Sequence, residues 1–213
     1  MRVRVKVCGI TRVEDALAAA AAGADAIGLV FAESPRKVSL ETARLIVSVL
    51  PPFVCAVGVF VDATKARILK TIDAVGLHCV QLHGKESPRF VSSLGNVNVI
   101  KAIGIKTPED VEKAGAYNVP ILLDTASRRA AGGTGETFPW EYASELAAKR
   151  PIILAGGLTP DNVAEALLKA RAWGVDVSSG VESAKGIKDA RKIQIFIRNV
   201  GRTFHALHHD QST

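Results

Sequence analysis

Little in this chain of 213 residues points toward a partner larger than a small molecule. Aromatic side chains make up only 5% of it, and no run of lysine and arginine carries aromatics among its charges. The stacking platforms of a nucleic-acid surface are therefore missing, although 27 basic residues outnumber 21 acidic ones and leave a net charge of +6. That surplus fits a basic surface that draws in anionic metabolites. The three cysteines, Cys8, Cys55 and Cys79, form neither a C-x-x-C pair nor a zinc-ligand spacing. An odd count without a secretory leader suits a reducing cytoplasm. The start of the chain, Met1-Arg2-Val3-Arg4-Val5-Lys6, alternates charge and valine and lacks the continuous apolar stretch of a leader. No run approaches the roughly 18 apolar residues of a membrane span. The expectation is a soluble cytoplasmic protein, monomer or homodimer, with no membrane or nucleic-acid partner.

What is present is a pair of glycine-bearing turns late in the chain. Leu154-Ala155-Gly156-Gly157-Leu158-Thr159-Pro160 and Val175-Asp176-Val177-Ser178-Ser179-Gly180 are apolar strand-like runs that end abruptly in small residues. Gly156 and Gly157 let backbone N–H groups approach a ligand without Cβ obstruction, and Thr159-Pro160-Asp161 then opens a helix. Unpaired N–H groups at a helix start attract an anion, most naturally a phosphate.

Short β-branched runs alternate with helical stretches from end to end. Strands are predicted at 3–7, 26–31, 54–60, 79–82, 97–103, 121–123, 152–155 and 175–178, starting on average about 25 residues apart, the spacing of βα units. Helix starts are marked by Thr11 with Glu14 as a capping box, by Ser39 and Asp62, and by Ser87 and Thr159, each of these last two followed by proline. The stretch 107–116 is the weakest helix. The pattern predicts an α/β fold, a single-domain (β/α)8 TIM barrel over residues 1–202, with phosphate-binding loops after strands 7 and 8. A doubly wound open sheet is the competing topology. Residues 203–213 form a surface tail, and the histidines in it suggest no metal site.

In a barrel, the chemistry gathers at the C-terminal ends of the strands. There the sequence offers Cys8, Arg36 in a proline-stiffened loop, Gln81, His83, Asp124 and the Gly132-Gly133-Thr134-Gly135 loop. Strand alternation puts Arg4, Lys6 and Cys8 on one face and Val3, Val5 and Val7 on the other. Lys6 should then meet Asp176 in the lumen beneath Cys8 and favour its thiolate. Asp124, at a strand end nearly across the barrel, suits a general acid, with partial burial favouring its proton. Arg36 can hold a carboxylate bidentately, while Gln81 and His83 share a strand face.

These residues resemble those of the phosphoribosylanthranilate isomerase family of tryptophan biosynthesis. The matching segments are Lys6-Val7-Cys8-Gly9-Ile10-Thr11, Ser34-Pro35-Arg36, Val57-Gly58-Val59-Phe60, Val80-Gln81-Leu82-His83-Gly84 and Leu123-Asp124-Thr125. Gly132-Gly133-Thr134-Gly135, Ala155-Gly156-Gly157-Leu158 and Asp176-Val177-Ser178-Ser179-Gly180-Val181-Glu182 follow in family order. The resemblance implies an Amadori rearrangement without cofactor or metal. Asp124 would act as general acid and Cys8 as general base, and Arg36 would hold the anthranilate carboxylate. Gly156, Gly157, Ser178, Ser179 and Gly180 would bind the phosphate, with Gly133 and Thr134 above it. Asp176 would bind the sugar or support the site, and Gln81 and His83, lining the mouth, are further candidate substrate-binding residues. Another phosphate-binding barrel, of pentose-phosphate epimerase or indole-glycerol-phosphate synthase type, and a non-catalytic phosphometabolite binder are the alternatives.

Overall fold

The computed structural model describes residues 2–125 and 137–209, with side chains through residue 203. Eight parallel strands close a barrel in sequence order: β1 (Arg4–Cys8), β2 (Ala26–Val30), β3 (Cys55–Phe60), β4 (Cys79–Leu82), β5 (Val99–Ile105), β6 (Ile121–Thr125), β7 (Ile152–Leu154) and β8 (Gly174–Val177). Closure is made by β1 pairing with β8, Lys6 opposite Asp176 and Val7 opposite Val177. The connecting helices are α1 (Val13–Ala22), α2 (Leu40–Ser48), α3 (Lys65–Val75), α4 (Pro88–Ser93), α5 (Pro108–Glu112), α6 (Glu141–Lys149) and α7 (Val163–Ala170). A short antiparallel ribbon, β9 (Glu182–Ala184) and β10 (Ile187–Lys188), follows β8. The last helix, α8 (Ala190–His209), runs on through residues 203–209. Among the described residues no helix is long and apolar enough to cross a membrane.

Strand alternation divides the barrel as the pattern predicts. Val5, Val7, Ile27, Leu29, Leu123 and Val175 belong to one large apolar core packed against the helices. Lys6 and Cys8 face the lumen, which otherwise holds two small apolar groups, Ala102 with Leu122, Ile153 and Ala155, and Val30 with Val59 beside Cys8. The stretch 107–116 is short as expected, a single turn of α5 followed by a 3₁₀ turn.

Three helix starts differ from the reading of the sequence. Thr11 does not cap α1; its hydroxyl donates to Gly186 O, and the cap position falls to Arg12. Thr64, not Asp62, caps α3 by accepting from Arg67 N, while the Asp62 carboxylate accepts from Lys85 N. Thr159 and Asn162 satisfy each other in a reciprocal turn, Thr159 N to Asn162 Oδ1 and Asn162 N to Thr159 Oγ1, so α7 begins only at Val163. In each case a hydrogen bond to another segment or to a local turn displaced the cap.

Candidate active site

At the C-terminal end of the strands a cavity opens whose wall includes Cys8, Arg36, Gln81, His83, Asp124, Gly156, Gly157, Asp176, Ser178 and Ser179. Ten side chains and glycines singled out in the sequence, spread over 172 positions, thus meet in one place because each ends or follows a barrel strand. Gly180 is not part of that wall. Glycine is required there by close packing, since a Cβ would lie 2.0 Å from Leu158 O. Gly133 and Thr134 lie outside the described residues.

The floor of the cavity is the Lys6–Asp176 ion pair, Nζ to Oδ1 at 2.9 Å, with both residues buried. Burial works against the Lys6 charge, but Asp176 and then Cys8 outweigh it and hold the ammonium above the ordinary lysine value. The effect on Cys8 differs from the expectation. Burial pushes the thiol up, Lys6 pulls it down, Asp176 cancels part of that pull, and Lys188 adds a second downward one. The net direction is upward, so the thiol is the resting form at neutral pH. The lysine beneath the cysteine is therefore matched to a carboxylate and does not by itself create a thiolate.

Across the mouth, Asp124 ends β6 with Oδ1 accepting its neighbour's N–H, Thr125 N, at 2.8 Å. Its Oδ2 lies 3.2 Å from His83 Nε2, and His83 Nδ1 lies 3.3 Å from Gln81 Nε2. Gln81, His83 and Asp124 thus form a short polar chain from the end of β4 to β6, on either side of β5. Asp124 and Cys8 both line the cavity.

Arg36 is more committed than the sequence suggests. Its Nε and Nη2 grip Glu182 bidentately at 2.6 and 2.8 Å. Lys188, whose side chain is fully buried, donates to the same Glu182 and to Ser178 O, each at 3.0 Å. Burial would raise the Glu182 carboxyl, but Arg36 and Lys188 outweigh it and its value falls below the usual carboxylate range. The Nε/Nη2 edge is thereby occupied, and an incoming carboxylate meets the remaining Nη1/Nη2 edge, where two N–H groups can still hold it. Beside Arg36 the wall is apolar, built of Val30, Ala32, Val59 and Val61. The opposite end is backbone. Gly156 and Gly157 both have left-handed φ, +83° and +64°, and among the described residues their N–H groups meet no acceptor. With Ser178 and Ser179 on the facing turn, this end matches an oxyanion with several oxygens.

The cavity wall thus combines a guanidinium with apolar side chains, a glycine turn with two serine hydroxyls, a thiol and a carboxyl group. Glu182 and Lys188 had no assigned role in the sequence, although Glu182 stands in a quoted motif. Their signal was a charged pair six residues apart flanking a turn, which is unremarkable until the ribbon folds back.

A family description for N-(5'-phosphoribosyl)anthranilate (PRA) isomerase matches residues 5–199. The N-(5'-phosphoribosyl)anthranilate isomerase of Pelobacter propionicus is 52% identical over 198 residues, 92% of this chain and 94% of its own. The crystal structure of the Thermotoga maritima phosphoribosyl anthranilate isomerase superposes with a TM-score of 0.88 at 45% identity, covering 93% of this chain and 98% of that one. Monomers generated from that dimeric protein give 0.85 at 42%, with the same coverage. A phosphoribosyl anthranilate isomerase in complex with reduced 1-(o-carboxyphenylamino)-1-deoxyribulose 5-phosphate gives 0.85 at 43% identity, again covering 93% and 98%. This chain belongs to the N-(5'-phosphoribosyl)anthranilate isomerase family.

Proposed function

We propose that the protein catalyses the Amadori rearrangement of N-(5'-phosphoribosyl)anthranilate to 1-(2-carboxyphenylamino)-1-deoxyribulose 5-phosphate in tryptophan biosynthesis. The observation that carries this reading is the presence of Cys8 and Asp124 in the wall of one cavity together with Arg36 and the Gly156-Gly157 turn. Asp124 gives its proton to the furanose ring oxygen, the C1′–O bond breaks, and the nitrogen lone pair forms the Schiff base. Cys8, having passed its resting thiol proton to the Asp124 carboxylate before ring opening, acts as thiolate and removes the C2′ proton, and the electron pair moves to give an enolamine that tautomerises to the ketone. The acid and the base each supply about 10²–10⁴ in rate.

The ends of the ligand follow from the walls. The anthranilate ring packs on Val30, Ala32 and Val59, with its carboxylate on Arg36. The phosphate takes the N–H groups of Gly156 and Gly157 with Ser178 and Ser179, and Gly133 and Thr134 contribute from the neighbouring loop. Asp176, with Oδ1 held by Lys6, offers Oδ2 to a sugar hydroxyl. His83 and Gln81 orient Asp124. The direct test follows the fluorescence of phosphoribosylanthranilate. Its loss at a rate proportional to enzyme supports the reading. Tight binding of the reduced product without any turnover would assign the chain to phosphometabolite binding.

For assembly we propose a homodimer formed through the N-terminal end of the barrel. Phe53, 97% exposed, stands just before β3 on that face. A cavity of about 400 Å³ opens there, lined by Val57, Ile100, Ile153 and the half-exposed Trp173. An apolar side chain left in water beside an apolar hollow suits a self-complementary contact. Sedimentation velocity at micromolar concentration should give twice the monomer mass, and F53E should reduce it to one. A monomeric wild type removes the proposal.

A further inference from the structure

Lys101 lies on the outward side of β5, in the apolar layer between sheet and helices, where an unpaired charge is costly. Its neighbours Ile100 and Ala102 face the lumen. All three of its ammonium donors are used: Leu82 O at 3.1 Å, Gly84 O at 2.7 Å and Glu86 Oε2 at 2.8 Å. Glu86 is equally committed. Its Oε1 accepts from Asp62 N at 2.9 Å, and both of its oxygens accept from Gly84 N at 3.0 and 3.2 Å. One buried ion pair thus joins the end of β3, the turn after β4 and the middle of β5. His83 sits inside that turn, between the two carbonyls that Lys101 holds, and its own N–H goes to Phe60 O at 2.8 Å. Neither Lys101 nor Glu86 lines the ligand cavity.

Stability does not account for the pair. A buried ion pair exchanged for well-packed apolar residues is often neutral or stabilising. What the pair does provide is a fixed seat: four hydrogen bonds converge on the Leu82 and Gly84 backbone that flanks one residue, and a fifth ties Glu86 to Asp62 N. That residue carries the imidazole whose Nε2 faces Asp124 at 3.2 Å. We infer that Lys101 and Glu86 are positioning residues for the isomerase reaction: by clamping the Leu82–Gly84 turn they aim the His83 ring at Asp124 and keep the carboxyl turned toward the substrate. The inference rests on the reading of Asp124 as the acid. It deepens that reading by placing part of the catalytic geometry in the outer layer of the barrel.

The test uses K101M/E86Q, which removes both charges together, with H83N and the triple variant. Displacement of the ring should lower kcat for phosphoribosylanthranilate about 10- to 100-fold, with KM within about twofold because no ligand contact is removed. In the H83N background the same two changes should cost almost nothing further, since effects passing through one residue do not multiply. Full multiplication, or an unchanged kcat, overturns the inference. The His83 imidazole resonances should also move in K101M/E86Q; signals identical to wild type overturn it independently of activity. If those signals move while D124N retains turnover, the clamp stands and the acid assignment falls. Should K101M/E86Q fail to fold, E86D keeps the charge on a shorter arm. It should melt near wild type and show a smaller loss in the same direction, and wild-type kcat in E86D overturns the proposal.

Discussion

The outer and inner sides of the barrel strands share one backbone but follow different rules. On the outer side, Val5, Val7, Ile27, Leu29, Ile121 and Leu123 interlock with helix residues such as Ile46, Ile68 and Phe196, all essentially without solvent exposure. On the inner side the strands carry glycine, alanine and a buried ion pair, with room left over. Gly28 shows how that room is made, because a Cβ there would lie 2.7 Å from Cys8 Sγ. Packing energy is collected outside, where close-packed apolar area is largest. The lumen is left for groups that packing would disfavour, Lys6, Asp176, Cys8 and Asp124. The division is drawn between neighbouring residues: Leu123 points out and Asp124 points in.

That contrast can be broken by exchanging the two effects at adjacent positions. D124N should lower kcat by about 10²–10⁴ while the melting temperature barely moves. L123A should do the reverse, costing about 2–5 kcal/mol of stability by denaturant titration, with kcat per folded molecule close to wild type. If L123A also abolished turnover in folded protein, the two sides would not be separable. A smaller effect is expected of G28A, which forces the new methyl against Cys8 and should reduce kcat on the order of tenfold through misplacement of the thiol. Wild-type turnover in G28A would mean the lumen has slack to absorb it. The smallest effect concerns pH. The Glu182 carboxyl is depressed in the folded state, so its contribution is complete above the ordinary value of 4.5 and fades as pH falls through the lower folded value. E182Q should cost about 1 kcal/mol at neutral pH, and the gap to wild type should close in acid. A gap independent of pH would show that the charge on Glu182 is not what matters.

Much of this was legible beforehand. The period-2 alternation of Arg4-Val5-Lys6-Val7-Cys8 assigned each side chain to a face, and the register of β1 on β8 then placed Lys6 against Asp176 as expected. The Gly156-Gly157 turn announced its own backbone geometry, because φ values of +83° and +64° are ones that glycine adopts freely. The partners of Arg36 were not legible. One edge of its fork is filled by a residue 146 positions away, at the start of the β9–β10 ribbon. The caps at Thr11, Asp62 and Thr159 were misjudged for a related reason, since a hydroxyl or carboxylate can satisfy more than one nearby donor or acceptor and the choice is settled by what else packs there.

The amino-acid order by itself determined the repeat of strand and helix, the side of the sheet on which each strand residue lies, and the chemical types waiting at the strand ends, because these depend on local periodicity and on intrinsic backbone preferences. Only the tertiary structure decided most of the charge pairing. Lys6 with Asp176 followed from strand alternation, but Arg36 with Glu182, 146 positions apart, and the nearer pairs Lys188 with Glu182 and Lys101 with Glu86 did not. A buried charge must find its partner wherever closure of the barrel brings one within about 3 Å, and no local rule states where that is.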